Sequence, residues 1–172
     1  MKPVAVELVS RGRISIIGAF IGLGLIMLGF VYYASLDNPQ LEQIQIDLIS
    51  VKVLDINSID KRADLAVVFL VTNPSQRTLT VSNINYALFA NDKNVGNGEY
   101  STEDVAMTGR AAFYPGQSIE IPSTVSLVYT DQIADAYSAI VNGEHVSYKV
   151  TGQVSVESAW SIVEKYFEST LN

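Results

Sequence analysis

The sequence predicts a mostly β fold, an antiparallel β-sandwich with one or two short helices, preceded by a single transmembrane helix. Three observations predict this architecture. Residues 14–36 carry no charged side chain, the rest of the chain shows short runs of alternating apolar residues, and turn-forming residues separate those runs. A chain of 172 residues holds at most one globular domain beside such a helix.

Composition excludes several classes of protein. Hydrophobic residues make up 48% of the chain, charged residues 17%, and the net charge is -7. The chain is therefore too apolar to be disordered and too acidic to bind nucleic acid. It contains no cysteine, which excludes disulfides, thiolate metal sites, iron–sulfur clusters and cysteine nucleophiles. His145 is the only histidine, and neither a metal nor a cofactor is expected.

Residues 14–36 are predicted to form the transmembrane helix. These 23 residues would make a helix about 35 Å long, which exceeds the hydrocarbon core of about 30 Å. A cleavable signal peptide is the alternative, but its apolar region is usually only about 7–15 residues long. Cleavage after Ala34 would also place Tyr32 where a small residue is required, so an uncleaved anchor in the lipid bilayer is favoured.

The charges beside this span predict its orientation. Lys2, Arg11 and Arg13 precede it, whereas only acidic charges follow nearby. Since basic residues stay on the cytoplasmic side, residues 1–13 are predicted to be cytoplasmic and residues 37–172 extracytoplasmic. This places a single-pass protein in the cell membrane. The outer domain has eight basic and seventeen acidic residues, a net charge of -9.

Three glycines share one face of the predicted span. Gly18, Gly22 and Gly29 lie within about 40° of one another at the helical period, and Gly18 and Gly22 have the GxxxG spacing. This face suits close packing against another helix, in a homo-oligomer or with a membrane protein partner. Glycine is also common in transmembrane helices generally, so both interpretations stay open.

The outer domain consists mainly of predicted strands. Alternating apolar residues predict strands over 43–54, 65–71, 79–88, 95–102, 119–129 and 146–156. In the first of these the alternation changes phase at Ile49, which indicates a bulge or a strand that crosses between sheets. Pro122 lacks an N–H group, so its strand is expected to lie at an edge or to contain a bulge.

A helix is predicted over 130–143, between the last two strands. Thr130 is the expected N-cap and Gly143 follows the expected C-terminus. The side chains expected on its apolar face are Ile133, Ala134, Tyr137 and Val141.

A second helix is predicted at the C-terminus, over about 158–171. Trp160, Val163, Phe167 and Leu171 follow an i, i+3, i+7, i+11 spacing, which is typical of an amphipathic helix. Docking of this stripe on its own domain is favoured over contact with a partner or the membrane surface.

Over residues 68–156 the order of motifs resembles the LEA-2 group, also called the LEA14-like or water-stress/hypersensitive-response domain. The motifs, in order, are Asn73-Pro74, Leu79-x-Val81, Tyr86-x-Leu88, the Asn91 turn with Val95-Gly96-x-Gly98, Pro115-Gly116, and Tyr148-Lys149-Val150-Thr151-Gly152. Together they cover about half of the chain. Single-span anchors before such a domain also occur in this family.

The resemblance implies an immunoglobulin-like or fibronectin-III-like sandwich with one helix and no catalytic centre. It also implies an association with desiccation and stress protection, through binding or shielding of proteins and membranes. Two departures stand out. The loop 100–114 is longer than the family motif needs, and the family pattern has a final strand where the C-terminal helix is predicted.

No motif in the sequence indicates catalysis or metal binding. His145 follows a turn and is interpreted as a surface residue rather than a general base. The 92–94 stretch lacks the spacing of an EF-hand calcium loop. Glu103 and Asp104 form an adjacent acidic pair, interpreted as an exposed loop, with a weak cation site as the alternative.

Two functions follow as hypotheses. The first is a membrane-anchored, extracytoplasmic, LEA-2-like binding or stress-protective domain, which is not an enzyme. The second is a structural or accessory single-pass subunit of a larger membrane protein complex.

Overall fold

The computed structural model describes residues 4–36, 38–102 and 112–171. The chain divides into two compact units, Met1–Asp37 and Asn38–Asn172, and each is described by itself.

The described part of the first unit is a single helix, α1 (Val4–Ser35). From Ile14 to Leu36 its large apolar side chains are exposed. By length and composition, the stretch Gly12–Leu41 contains a candidate membrane span. Exposed apolar side chains on every face of a helix are unfavourable in water and suit a helix surrounded by lipid.

The second unit contains eight described strands and two described α-helices. In chain order these are α2 (Asn38–Leu41), β1 (Gln45–Asn57), β2 (Arg62–Thr72), β3 (Leu79–Ala90), β4 (Lys93–Ser101), β5 (Ala112–Phe113), β6 (Ser118–Val128), α3 (Ala134–Val141), β7 (Tyr148–Glu157) and β8 (Ile162–Leu171). A short 3-10 turn, Asp131–Ile133, leads directly into α3.

The strands form two antiparallel sheets that enclose one hydrophobic core. One sheet has the order β1-β2-β6, and the other has the order β4-β3-β7-β8, with β5 paired to β3. Alternate side chains of each strand point into the core, where Leu65, Phe69, Ile84, Leu88 and Val150 are fully buried. The predicted β-sandwich preceded by an apolar helix is confirmed.

The phase change in β1 is a bulge within one sheet. Leu48 pairs with Phe69 and Ser50 pairs with Val68, so Ile49 is left without an opposite residue. The extra residue keeps Leu48 and Val51 on the core side of the strand although they are three positions apart. The bulge interpretation of the sequence pattern is therefore confirmed.

The edge position of Pro122 is also confirmed. This residue lies in β6, an edge strand of its sheet, opposite Val68 of β2. Proline has no N–H group to give to a further strand, so an edge is where it is tolerated.

The turn between β3 and β4 has the backbone that its sequence favours. Asn91 and Asp92 have φ angles of 48° and 64°, and Ala90 pairs with Lys93 across the turn. Two consecutive left-handed residues match the twist of a two-residue hairpin, and asparagine and aspartate tolerate this conformation.

The helix predicted over 130–143 forms, but with a different start: a 3-10 turn precedes it, and Thr130 makes no side-chain capping hydrogen bond. The predicted apolar face is confirmed in part, because Ile133 is buried and both Tyr137 and Val141 pack against the core. Ala136 and Ile140, which were not predicted, are buried as well. Gly143 follows the helix with φ of 70°, as predicted.

The prediction of a C-terminal helix over 158–171 is wrong. Residues 162–171 form β8, which pairs with β7 at every position from Tyr148↔Leu171 to Glu157↔Ile162. The spacing of Val163, Phe167 and Leu171 is i, i+4, i+8, which places residues on one face of a strand as well as on one face of a helix. Pairing with the otherwise open edge of β7 decides between the two.

Asn73 joins two loops at one end of the sandwich. Its fully buried side-chain amide donates to the carbonyl oxygens of Arg77 (2.8 Å) and Phe113 (2.9 Å). Its Oδ1 accepts from the backbone N–H (3.1 Å) and the hydroxyl (2.7 Å) of Ser75. All four hydrogen-bonding positions of the amide are thus used, which accounts for an asparagine before Pro74.

Replacing Asn73 should destabilise the second unit strongly. N73A would leave the buried Phe113 carbonyl and the Ser75 N–H without this partner, at a cost of roughly 3 kcal/mol in the free energy of unfolding. Urea unfolding of residues 38–172 followed by circular dichroism measures it. The control N97A changes an exposed asparagine of β4 and should stay within about 0.5 kcal/mol of the parent. Equal effects of the two variants would contradict the assigned role.

Candidate functional site

The sequence-predicted site residues lie in two separate places. Gly18, Gly22 and Gly29 lie on α1, and each has open space within 4 Å of the position a Cβ would take. Their role in helix packing stays a prediction. The other set, Trp160, Val163, Phe167 and Leu171, was predicted to form the apolar face of a C-terminal helix, with docking on its own domain favoured and contact with a partner as the alternative.

The structure does not place that second set on one exposed face. Val163, Phe167 and Leu171 are half-buried in β8 and pack against the core. The Phe167 ring lies edge-on to Phe69, with ring centroids 5.9 Å apart. Trp160 is apart from them in the turn between β7 and β8, and 67% of it is exposed. The proposed stripe is therefore divided between the core and one turn.

Tyr86 links the two sheets through the core. Its hydroxyl donates to Ser123 Oγ of the opposite sheet (2.9 Å), and Ser123 Oγ donates to the Glu99 carbonyl (3.0 Å). The ring also packs edge-on against Phe69 at 4.8 Å. Burial raises the pKa of Tyr86 above its usual value, and the hydrogen bond to Ser123 opposes part of that rise.

Two glycines make room for this tyrosine. In β4 and β7, Gly98 and Gly152 lie directly opposite Tyr86. A Cβ at Gly98 would lie closer than 3.0 Å to the Tyr86 ring. A Cβ at Gly152 would lie closer than 3.0 Å to both Tyr86 Cβ and the Asn85 carbonyl oxygen. Glycine is therefore required at both positions by close packing.

The outer face of the same sheet carries an open groove of about 850 Å³. Small or short side chains, such as Ala87 and Thr151, form its middle, and Glu99, Tyr166 and Glu168 stand along it. Glu99 accepts a hydrogen bond from Asn83 Nδ2 at 3.0 Å. The surface that lines the groove is mostly apolar, and the side chains of Glu99, Tyr166 and Glu168 add polar groups to it.

A second cleft, of about 340 Å³, is lined by polar and apolar groups in about equal measure. It lies between the inner side of β1 and the segment that leads from α3 into β7, and its apolar residues are Val51, Val53, Ile140, Val146, Tyr148 and Leu171. Burial raises the pKa of Tyr148. Along β1 the apolar surface continues to Ile56, and Val53 and Ile56 are 37% and 39% exposed.

The turn between β1 and β2, at the same end of the sandwich, also exposes an apolar side chain. Ile59, in that turn, is 93% exposed. We define the distal apolar surface as the cleft lined by Val51 and Val53 together with Ile56 and Ile59. Several exposed apolar side chains at one end of a folded domain suit an interaction site.

His145 and the pair Glu103 and Asp104 are the residues that the sequence analysis considered for catalysis or for a cation site. His145 is exposed at the rim of the cleft, beside Glu144. No group of three or more His, Cys, Asp or Glu side chains that could hold a metal ion occurs among residues 4–36, 38–102 and 112–171. Glu103 and Asp104, the acidic pair considered as a cation site, lie outside the described residues.

The sequence predicted neither the groove nor the cleft. The cleft depends on α3, which contributes the buried Ile140, and on β8, which brings Leu171 next to β1. A signal did exist in β1, where Val51, Val53 and Ile56 continue the apolar pattern beyond the last residues that the core covers completely.

Comparisons with known proteins were made by sequence and by structure. No protein-family model and no curated protein matches the chain. A crystal structure of a protein from Archaeoglobus fulgidus is 17% identical, with a TM-score of 0.43, and the match covers 73% of this chain and 94% of that one. The ApaA protein from Bordetella pertussis is 10% identical, with a TM-score of 0.48, and the match covers 75% of this chain and 92% of that one.

A third solved structure is described, provisionally, as a late embryogenesis abundant (LEA) protein. It is 11% identical, with a TM-score of 0.39, and the match covers 97% of this chain and 90% of that one. The chain resembles a LEA-type protein. The solved structures that match thus include the kind of protein that the sequence motifs resemble. At these identities and TM-scores the likeness carries no functional argument, and the fold rests on the strand order of this chain.

Alkaline pH should destabilise the second unit through Tyr86. Its pKa is raised in the folded state above the unfolded value of about 10, so above pH 10 the unfolded chain releases a proton that the folded chain keeps. The free energy of unfolding should therefore be flat up to about pH 9.5 and should fall as the pH rises further. Urea unfolding at a series of pH values measures this slope.

Two variants test whether Tyr86 causes the decrease in the free energy of unfolding at alkaline pH. Y86F should show a smaller decrease above pH 10, together with a loss of about 1 kcal/mol at neutral pH from the missing hydrogen bond. Y166F, which changes a tyrosine exposed on β8, should keep the parent slope. A slope that Y86F leaves unchanged would show that Tyr86 does not titrate as described.

Proposed function

We propose that this chain is a membrane-anchored, extracytoplasmic binding domain of the LEA-2 type, without catalytic activity, that protects other proteins under stress. The observation that carries this proposal is the distal apolar surface. It exposes Val53, Ile56 and Ile59 to the solvent near the C-terminal end of β1 and in the turn that follows. Exposed apolar segments of a partly unfolded protein are the partner that such a surface fits.

The membrane location is supported by the apolar helix and its flanking charges. The candidate span lies within Gly12–Leu41 and is preceded by basic residues. Because basic flanks are retained in the cytoplasm, the sandwich would lie outside. A net charge of -9 on residues 37–172 suits a domain that must stay soluble while it exposes apolar side chains.

The non-catalytic part of the proposal is supported by the environment of the candidate groups. Nucleophilic catalysis needs a base within hydrogen-bond reach of the nucleophile. His145, the only histidine, is exposed in a loop after α3. The hydroxyls of Tyr86 and Ser123 are buried and serve the link between the sheets.

Protection of a labile enzyme tests the proposal. The full chain in lipid nanodiscs should reduce aggregation of a heat-labile enzyme such as citrate synthase, measured by light scattering, relative to empty nanodiscs and an equal mass of inert protein. The double variant V53K/I56K should abolish most of this effect, because two lysines would make the distal apolar surface polar.

A matched variant separates this surface from the groove. N97K/T151K adds the same two charges to the outer-face groove and should leave protection unchanged. Circular dichroism checks that both variants are folded. Absence of protection by the parent chain, or its loss only in the groove variant, would contradict the proposal.

An accessory subunit of a membrane protein complex is the second candidate function. The glycine face of α1 favours it, since Gly18, Gly22 and Gly29 leave open space for another helix. In this case the sandwich would be one part of a stoichiometric assembly.

Purification in mild detergent tests the second function. A larger assembly should be recovered from the parent chain, and G22L should dissociate it, because a leucine side chain holds two helices apart. G24L is the matched control, because Gly24 lies about 140° around the helix from the centre of the glycine face and should leave the assembly intact. An isolated parent monomer, or equal behaviour of both variants, would contradict helix packing through this face.

A further inference from the structure

The end of the sandwich next to Asn38 differs in chemistry from the opposite end. Three described loops meet at this end, and they follow β2 (residues 73–78), precede β6 (residues 114–117) and join β7 to β8 (residues 158–161). We refer to these three loops as the proximal loops.

Hydrogen bonds connect the proximal loops to α2. Ser161 Oγ donates to Asn38 Oδ1, and the backbone N–H of Gln76 donates to Gln40 Oε1 at 3.2 Å. The N–H of Gly116 in turn donates to the Asn73 carbonyl at 2.7 Å. All three loops are therefore held around the first helix of the second unit.

Only one residue, Asp37, separates Asn38 from Leu36, the last residue of the charge-free run. Consecutive Cα atoms are about 3.8 Å apart, so Asn38 can be at most about 7.6 Å from Leu36. If 14–36 spans the membrane, covalent geometry keeps Asn38 at the membrane surface. The loops bonded to α2 must then lie close to that surface as well.

The side chains of the proximal loops suit such a position. Trp160 and Tyr114 are 67% and 60% exposed, and Ile162, the first residue after the third loop, is 66% exposed. Trp and Tyr are enriched at membrane–water interfaces, because their rings are apolar and each carries one polar group.

The distribution of charge between the two ends of the sandwich also favours membrane contact at the end next to Asn38. Arg77 is the only charged residue in the proximal loops, and it is basic. The described loops at the opposite end, residues 58–61, 91–92 and 129–147, contain one basic residue, Lys61, and five acidic ones, Asp60, Asp92, Asp131, Asp135 and Glu144. A surface that rests on lipid headgroups must avoid buried acids. The proximal loops contain none, and Glu42, in the turn after α2, is the one acidic residue in the described turns at this end.

We propose that the proximal loops dock on the membrane that anchors the chain, with Trp160 and Tyr114 inserted at the lipid headgroup level. The inference rests on the proposed membrane anchoring and adds to it an orientation of the domain. A lipid surface is favoured over a protein partner because, with residues 14–36 in the bilayer, the one-residue connection at Asp37 keeps Asn38 within reach of lipid.

Trp160 is the only tryptophan of the chain, so intrinsic fluorescence reports on this residue alone. The full chain is reconstituted into phosphatidylcholine vesicles and separated by flotation. The emission maximum of Trp160 should lie at a shorter wavelength than that of a tryptophan in water. Lipids brominated near the headgroup should quench this emission more strongly than lipids brominated deep in the acyl chain. Acrylamide in the aqueous phase should quench it only weakly.

A relocated tryptophan is the matched control. The double variant W160F/I59W keeps one tryptophan but moves it to the exposed turn between β1 and β2 at the opposite end. Its emission should be that of a residue in water, with strong acrylamide quenching and none by brominated lipid. Circular dichroism shows whether this variant is folded.

The outcomes separate the docking from the anchoring. If the protein floats with the vesicles but acrylamide quenches Trp160 strongly, the docking proposal is contradicted, whereas the proposed membrane anchoring is supported. Floating protein with Trp160 shielded from both quenchers would mean that protein, rather than lipid, covers these loops, which also overturns the docking. Failure to float at all would contradict the anchoring, and with it the docking.

Discussion

The contact between Tyr86 and Ser123 is the interaction on which the sandwich depends most. It joins the two sheets through a core that otherwise consists of apolar side chains, and it fixes the distance between them at one place. It exists only because β4 and β7 both present glycine next to the tyrosine. A buried hydroxyl costs free energy when it is unpaired, so other alignments of the two sheets are disfavoured. The motif Tyr86-x-Leu88 and the glycines Gly98 and Gly152 are thus parts of one arrangement.

The edge strands β1 and β8 lie side by side at one side of the sandwich. Side-chain hydrogen bonds connect them instead of a β ladder. Lys165 points inward from β8, and its ammonium group donates to the carbonyl oxygens of Glu42 (2.8 Å) and Ile44 (2.6 Å). Ser169 Oγ accepts from the N–H of Leu48 at 2.9 Å. An inward-facing lysine on an edge strand discourages pairing with another chain, which matters for a β-rich domain that must not aggregate. Stability and solubility therefore depend on the same few side chains at this edge.

The strand pattern was predictable from sequence because period-two alternation is a local property. The bulge at Ile49 and the edge position of Pro122 follow from single residues and were predicted correctly. The C-terminal strand was not, because Val163, Phe167 and Leu171 fit both periods and only pairing with β7 selects one. The family pattern, which has a strand at this place, was the better guide. The cleft could not be predicted, because Val51, Ile140 and Leu171 meet there only after α3 and β8 are placed.

The length of β1 has an electrostatic consequence. Its 13 residues extend from the start of the sandwich to the turn at Ile59, a distance of about 40 Å. The Debye length at physiological ionic strength is about 8 Å, so the two ends are separated by about five screening lengths. Acidic residues around α3 and the turn at Asp92 therefore exert almost no force on charges near Asn38. A change of charge at one end of this domain therefore has almost no effect on the electrostatic potential at the other end.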